Sequence, residues 1–241
     1  MKKLARGRGG GGLACKNTTM PVVLVTGGGS ALAQAIAAAL RSDGATVRLT
    51  HRPGTESADG SVACDLGDIP ATEALCEGVD QLVHVEPVLE HARDDGWIGP
   101  AGWLEVCTTQ TYNLLYAAAE AGAVSCCCLS TMALWEGYPA DLAVQPFWEP
   151  LPSCEPDVLG PHLASYIATQ FAHSGALRVS QACVGTLDDL PAGPRCRWRS
   201  EIGAVAAAVA ELVGDTLEAE AEVTGDGSQA PPNIYHPAEK R

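Results

Sequence analysis

Val22-Val23-Leu24-Val25-Thr26-Gly27-Gly28-Gly29-Ser30-Ala31-Leu32-Ala33 decides how the rest of this chain is read. A β-branched apolar run ends in three glycines and passes straight into Gln34-Ala35-Ile36-Ala37-Ala38-Ala39-Leu40, a helix-forming stretch. Strand, tight glycine turn and helix, in that order, make the first unit of a dinucleotide-binding α/β sheet. Glycine lets the backbone come close to a pyrophosphate, and the N–H groups at a helix start, which have no partner within the helix, attract its negative charge. Ser30 is placed to cap the helix and Gly44 to stop it.

Outward from this unit, strand and helix signals alternate. Strands are expected at residues 22–26, 46–50, 61–64, 81–85, 124–129 and 177–184. Helices are expected at 31–41, 71–77, 103–121, 163–173 and 202–213. Residues 87–100 read as a loop, and 135–161, with six prolines, as mostly irregular. This order predicts a Rossmann-like, doubly wound parallel sheet with helices on both faces and a reduced C-terminal subdomain. Ligands of such sheets bind beyond the carboxyl ends of the strands, where the strand order reverses. The expected division is a basic, glycine-rich tail over 1–19, a nucleotide-binding domain over 20–185, and a small substrate-side cap over 186–241. Met20 is a candidate natural start.

Composition narrows the partners. Residues 1–19 hold five cations and no acid, so the net charge of −14 becomes −19 over residues 20–241. Such a body repels nucleic acid and anionic membranes. No apolar run approaches the ~18 residues of a membrane span. The basic N-terminus lacks the apolar core of an export signal. The expected setting is therefore the cytoplasm or another reducing, soluble compartment, with the ten cysteines reduced and mostly buried. Cys126-Cys127-Cys128 lies in an expected strand, where neighbours point to opposite faces, and no Cys-x-x-Cys pair occurs, so no metal site is expected.

Five segments in order resemble the extended short-chain dehydrogenase/reductase superfamily, the NAD-dependent epimerases and dehydratases. Thr26-Gly27-Gly28-Gly29 resembles its glycine turn, and Cys64-Asp65-Leu66-Gly67-Asp68 its acidic segment after the third strand. Glu77 to Val85 resembles its fourth strand, and Thr111-Tyr112-Asn113-Leu114-Leu115-Tyr116-Ala117-Ala118 the helix that follows. Leu129-Ser130-Thr131-Met132-Ala133-Leu134-Trp135 is similar to the end of its fifth strand. The resemblance implies a site for NADP or NAD. Gly27, Gly28 and Gly29 would form the turn beneath the pyrophosphate, with Ser30 at the helix start. Asp65 and Leu66 would border the adenine, and His84 would lie near the middle of the cofactor. Arg52 matches the residue that pairs with a 2′-phosphate in some relatives. With no acid at the end of the second strand, this tilts the choice towards NADP. Plainer readings stand beside these: a purely conformational glycine turn, Asp65 capping its own turn with Asp68, His84 packed in its strand, and Arg52 as a surface charge.

The pattern also fails in places. The family's general base and its helper form a Tyr-x-x-x-Lys pair, which occurs nowhere in this chain. Thr131 matches the catalytic Ser/Thr but lacks that partner. Tyr166, followed by Gln170, has the spacing without the charge and reads as core or interface. Ser30 and Ala33 replace two glycines of the extended-family turn. Glu86 stands where small residues are usual, and it reads as a solvated strand-end acid. Three functions stay open: a nucleotide-binding relative with impaired catalysis and a sensing or structural-subunit role, an active oxidoreductase or epimerase with another acid/base, and a scaffold that binds no nucleotide. The resemblance also implies a homodimer, or a place in a larger complex, through the helices flanking the fifth strand, with Trp103, Tyr112 and Tyr116 as contact residues.

Overall fold

Alternation along the strands sets the layers. In the computed structural model, which describes residues 20–55, 60–89, 99–145, 148–187, 196–222 and 234–235, β1 (Val22–Val25) sends Val23 and Val25 to one face and Leu24 to the other. β2 (Thr46–His51) and the short edge strand β3 (Val62–Ala63) lie on one side of it. On the other lie β4 (Gln81–His84), β5 (Ser125–Thr131) and β6 (Arg178–Val184). β7 (Thr186–Leu187) and β8 (Arg199–Ser200) form a separate two-stranded ladder, and β9 (Ile234–Tyr235) extends the main sheet beyond β6. Every pairing is parallel, in the order β3-β2-β1-β4-β5-β6-β9. This is a Rossmann-like doubly wound sheet. Its order reverses between β1 and β4, beside the glycine turn, which is where sheets of this kind bind their ligands.

One face of the sheet is covered by α1 (Ala31–Ser42), whose Leu32 and Ile36 share a core with Val83, Leu129 and Val184. The other is covered in turn by α2 (Ile69–Cys76), α3 (Gly99–Glu105), α4 (Thr111–Glu120) and α5 (Pro156–His173), around Leu24, Leu82, Cys126 and Cys128. The adjacent thiols of β5 do point to opposite faces, with Cys127 in the first core and Cys126 and Cys128 in the second. α6 (Ile202–Glu222) lies on the α1 side, contributing Val205 and Val209 to the first core. Part of the segment beyond residue 185 thus belongs to the main body. The tail at 1–19 lies outside the described residues.

Three helices differ from the sequence expectation; the last, α6, expected to end at 213, runs to Glu222. The helix expected over 103–121 begins at Gly99 and is interrupted by a π-helical turn, Val106–Gln110. α5 begins at Pro156 rather than near 163. Pro156 fits the first turn, where its missing N–H removes no bond, and Pro161 is accommodated within the helix. Proline counting misread this stretch because it ignores where in a turn each proline falls.

Candidate functional site

The glycine turn binds itself together before it offers anything to a ligand. Gly27 has φ +74°, a left-handed conformation that favours glycine. Its carbonyl accepts from the Ser30 backbone N–H and the Ser30 hydroxyl, both at 2.9 Å. Gly28 N–H donates to the Thr50 carbonyl at 2.8 Å, which draws the turn against the end of β2. Ser30 Oγ accepts from Ala33 N–H at 3.1 Å and caps α1, as expected from the sequence. At the first two positions of α1, the N–H groups of Ala31 and Leu32 have no partner within the helix. They open beside Gly29 and Ser30, both half-buried.

Beneath this turn runs a directional hydrogen-bond chain. Thr26 Oγ1 accepts from Val85 N–H at 3.0 Å and Glu86 N–H at 3.2 Å. With both lone pairs engaged, its hydroxyl proton goes to His84 Nδ1, 3.0 Å away. That assigns the imidazole proton to Nε2, which donates to Thr111 Oγ1 at 2.9 Å, and Thr111 passes its own proton to the Val106 carbonyl at 3.3 Å in the π-helical turn. Burial drives the His84 pKa down to about 3, so the ring stays neutral. His84 is 1% exposed with both nitrogens engaged. Its side chain ties β1, β4 and the π-helical turn together, and it has no free nitrogen to offer a ligand.

Glu86 corrects the sequence reading. It is not a solvated strand-end acid: it is 5% exposed, in a 3₁₀ turn, Glu86–Val88, that folds back over the end of β4. Burial raises its pKa to about 7, Arg52 opposes the rise, and Asp65 adds to it. Arg52 is therefore engaged electrostatically with Glu86 from beyond β2, so it is more than a surface charge. Leu89 closes the same space. An added Cβ on Gly27 would collide with Leu89 Cδ1 and come 3.7 Å from Glu86 N. Nothing in the local sequence signals Leu89.

Of the two residues expected to border an adenine, Asp65 is exposed and Leu66 buried. Asp65 Oδ1 accepts from Gly67 N–H at 2.9 Å, while Asp68 Oδ1 caps α2 through Ala71 N–H at 3.2 Å. Asp65 thus fills the plainer turn-capping role with one oxygen; the other takes no hydrogen bond among the described residues. Asn113 Nδ2 donates to the Leu66 carbonyl at 3.0 Å and fixes this loop to α4. Asn113 and Thr111 were both findable in principle, as polar side chains in an apolar helical segment.

The catalytic candidates do not come together. Thr131 is fully buried, and its Oγ1 accepts from Ala133 N–H at 3.1 Å, capping a 3₁₀ turn, Met132–Trp135. Tyr166 is 58% exposed, on the side of α5 away from the sheet, so it is not core. The buried residues of α5 are Gly160, Pro161, Ala164, Ser165 and Ala168, with neither phenol nor amine among them. Trp103, expected at an interface, is instead buried in the second core. Tyr112 and Tyr116 remain about half exposed and stacked, with ring centroids 6.0 Å apart. Among the described residues no three His, Cys, Asp or Glu side chains group as metal ligands, and no helix is long and apolar enough to cross a membrane.

No protein-family model and no curated protein matches the chain. Solved structures share its fold. A provisionally assigned epimerase from Burkholderia cenocepacia J2315 is 18% identical, with a TM-score of 0.70 over 92% of this chain and 76% of that one. The UDP-glucose 4-epimerase of Thermus thermophilus, solved in complex with NAD, is 17% identical with a TM-score of 0.65 over 90% of this chain and 77% of its own. A short-chain dehydrogenase/reductase superfamily protein from Agrobacterium tumefaciens with bound NAD is 24% identical, with a TM-score of 0.58 over 85% of this chain and 63% of that one. The fold is thus that of the short-chain dehydrogenase/reductase proteins.

Proposed function

We propose that the chain is an extended short-chain dehydrogenase/reductase relative that binds a nicotinamide dinucleotide and lacks the family's proton relay, acting as a cofactor sensor or a subunit of a complex. One observation supports this reading: the buried face of α5 holds no tyrosine or lysine, whereas the start of α1 has two amides with no partner within the helix. The residues fit the adenosine-diphosphate half of such a cofactor. Gly27 to Ser30 and the Ala31 and Leu32 amides would hold the diphosphate, Asp65 and Leu66 the adenine, and Arg52 a 2′-phosphate, which favours NADP. A bound nicotinamide ring supplies hydride acceptance or donation. Thr131, capped into its own turn, and the outward Tyr166 give it no proton acceptor at hand.

The test is fluorescence titration with NADPH and NADH, together with a turnover assay. Micromolar binding of either without turnover supports the proposal, and its loss on Arg52→Ala for NADPH alone supports NADP. Binding weaker than millimolar removes the cofactor reading. That result would favour the scaffold, to which Leu89 against Gly27 already lends weight. The exposed Tyr112 and Tyr116, with the partly buried Phe171 at 5.6 Å from Tyr112, support self-association or docking through α4 and α5.

A further inference from the structure

We propose that the Glu86 carboxyl group is an internal competitor for the dinucleotide, holding Arg52 in the free protein and having to be protonated before the cofactor's diphosphate enters. The inference rests on the cofactor reading above and concerns how that site is regulated. Strand order is its first support. Arg52, the glycine turn and Glu86 follow β2, β1 and β4, three adjacent parallel strands. At the usual strand spacing, Arg52 and Glu86 therefore stand about 10 Å apart at the backbone with the turn between them. An attraction between them acts across the glycine turn, and Arg52 is the charge that favours the ionised form of Glu86.

The second support is that the Glu86 backbone is fixed in place. Its N–H is bonded to Thr26 Oγ1 at 3.2 Å and lies 3.7 Å from the Cβ position of Gly27. Thr26 is itself locked to His84. The backbone cannot retreat without breaking the buried chain that joins β1, β4 and the π-helical turn.

The third is the surroundings of the carboxyl group. Asp65 beyond β3 opposes its ionisation, and the Cys64 and Cys107 thiols, which feel its charge, are pushed up and stay protonated. From β5, the Cys128 thiol is also pushed up, and Asp157 in the first turn of α5 acts on Cys107. His162, further along α5, has its pKa lowered by burial, and His84 is held neutral. Arg52 therefore stands against an excess of acid. A diphosphate brings further negative charge to the start of α1, so an ionised, buried Glu86 repels it, while the neutral acid does not. Binding is then linked to uptake of one proton, and affinity falls by up to tenfold per pH unit once Glu86 ionises in the free protein.

The experiment measures NADH affinity by fluorescence from pH 6 to pH 9 for the wild type and Glu86→Gln. NADH is used for the pH series because the 2′-phosphate of NADPH would itself titrate near 6. The carboxyl carbon of Glu86 is followed by NMR with and without NADH. Expected are wild-type binding that weakens towards tenfold per unit above about pH 7, a flat profile for Glu86→Gln with about thirtyfold tighter binding at pH 8.5, and an upward move of the Glu86 titration on adding NADH. NADPH should gain more than NADH from the substitution, because Arg52 is released. Parallel profiles, or weaker binding by Glu86→Gln at pH 8.5, overturn the inference and leave the cofactor reading standing. No binding of either dinucleotide by either protein at pH 6 overturns both. The wild-type profile and the NMR titration need no substitution, so a folding defect in the variant cannot mask the result.

Discussion

Thr26→Val keeps the shape of a buried side chain and removes the single oxygen on which three hydrogen bonds meet. Val85 N–H and Glu86 N–H donate to that oxygen at 3.0 and 3.2 Å, and it donates to His84 Nδ1 at 3.0 Å. Thr26 and Thr111 are fully buried and His84 nearly so, so water cannot replace the lost partner. Each buried group left unpaired costs about 1–3 kcal/mol. Moving the His84 proton to Nδ1 finds no acceptor beside the valine and would turn the Thr111 hydroxyl from the Val106 carbonyl to Nε2. Local relaxation lowers the sum for three groups, and the expected loss is about 3–6 kcal/mol, a large part of the ~5–15 kcal/mol that stabilises a typical domain. Thr26→Ser keeps the oxygen and loses one methyl, at about 1 kcal/mol. Urea unfolding followed by far-ultraviolet circular dichroism gives both numbers from the midpoints, provided the slopes agree. If Thr26→Val unfolds within about 1 kcal/mol of the wild type, or Thr26→Ser is equally damaging, the hydroxyl is not the junction described.

Other outcomes follow from the same geometry. Gly27→Ala should lose about 2–5 kcal/mol, part from the left-handed backbone and part from Leu89. Adding Leu89→Ala should bring back only the steric part, so additive losses in a double-mutant cycle would show that Leu89 does not fill that space. The Glu86 pKa is raised on folding from 4.5 to about 7, so the folded state holds the extra proton and stability falls as pH rises between those values. The His84 pKa is lowered from 6.5 to about 3, so stability instead falls as pH drops through that range. The two slopes oppose each other between pH 4.5 and 6.5. Glu86→Gln should therefore gain on the wild type as pH rises, by roughly 3 kcal/mol at pH 8, and a constant difference across pH would refute the burial of that charge. Tyr166→Phe should leave any turnover of a nicotinamide cofactor unchanged; a loss would restore a catalytic role to that phenol. Replacing Tyr112 and Tyr116 together by glutamate should shift the sedimentation of a self-associated form to that of the single chain without lowering the unfolding midpoint, and unaltered sedimentation would remove α4 from the interface.

What could be read from the chain itself is what local physics writes. Alternating apolar residues announced the strands, the glycines after Thr26 announced the turn, and Ser30 announced the cap, because each depends on neighbours a few positions away. The same locality explains why Cys126, Cys127 and Cys128 could be assigned to opposite faces before any fold was known. The order of the resembling segments then constrained the sheet to the doubly wound form, since parallel strands joined by helices leave few topologies.

Only the assembled sheet decided the character of the crevice. Glu86 is buried because β4 lies beside β1 and its chain turns back over the glycines. Leu89 presses on Gly27 because that turn carries it there. His84 became a neutral tie between strands once the π-helical turn brought Thr111 to its second nitrogen. Tyr166 faces solvent and Trp103 the interior because the start of α5, reaching back to Pro156, presents Gly160 to Trp103 and Cys107. These residues are 27 to 62 positions from the partners that define them, as with His84 and Thr111, Thr26 and Glu86, or Gly27 and Leu89. Burial, charge coupling and tautomer are set by such distant neighbours, and a linear pattern carries no measure of them.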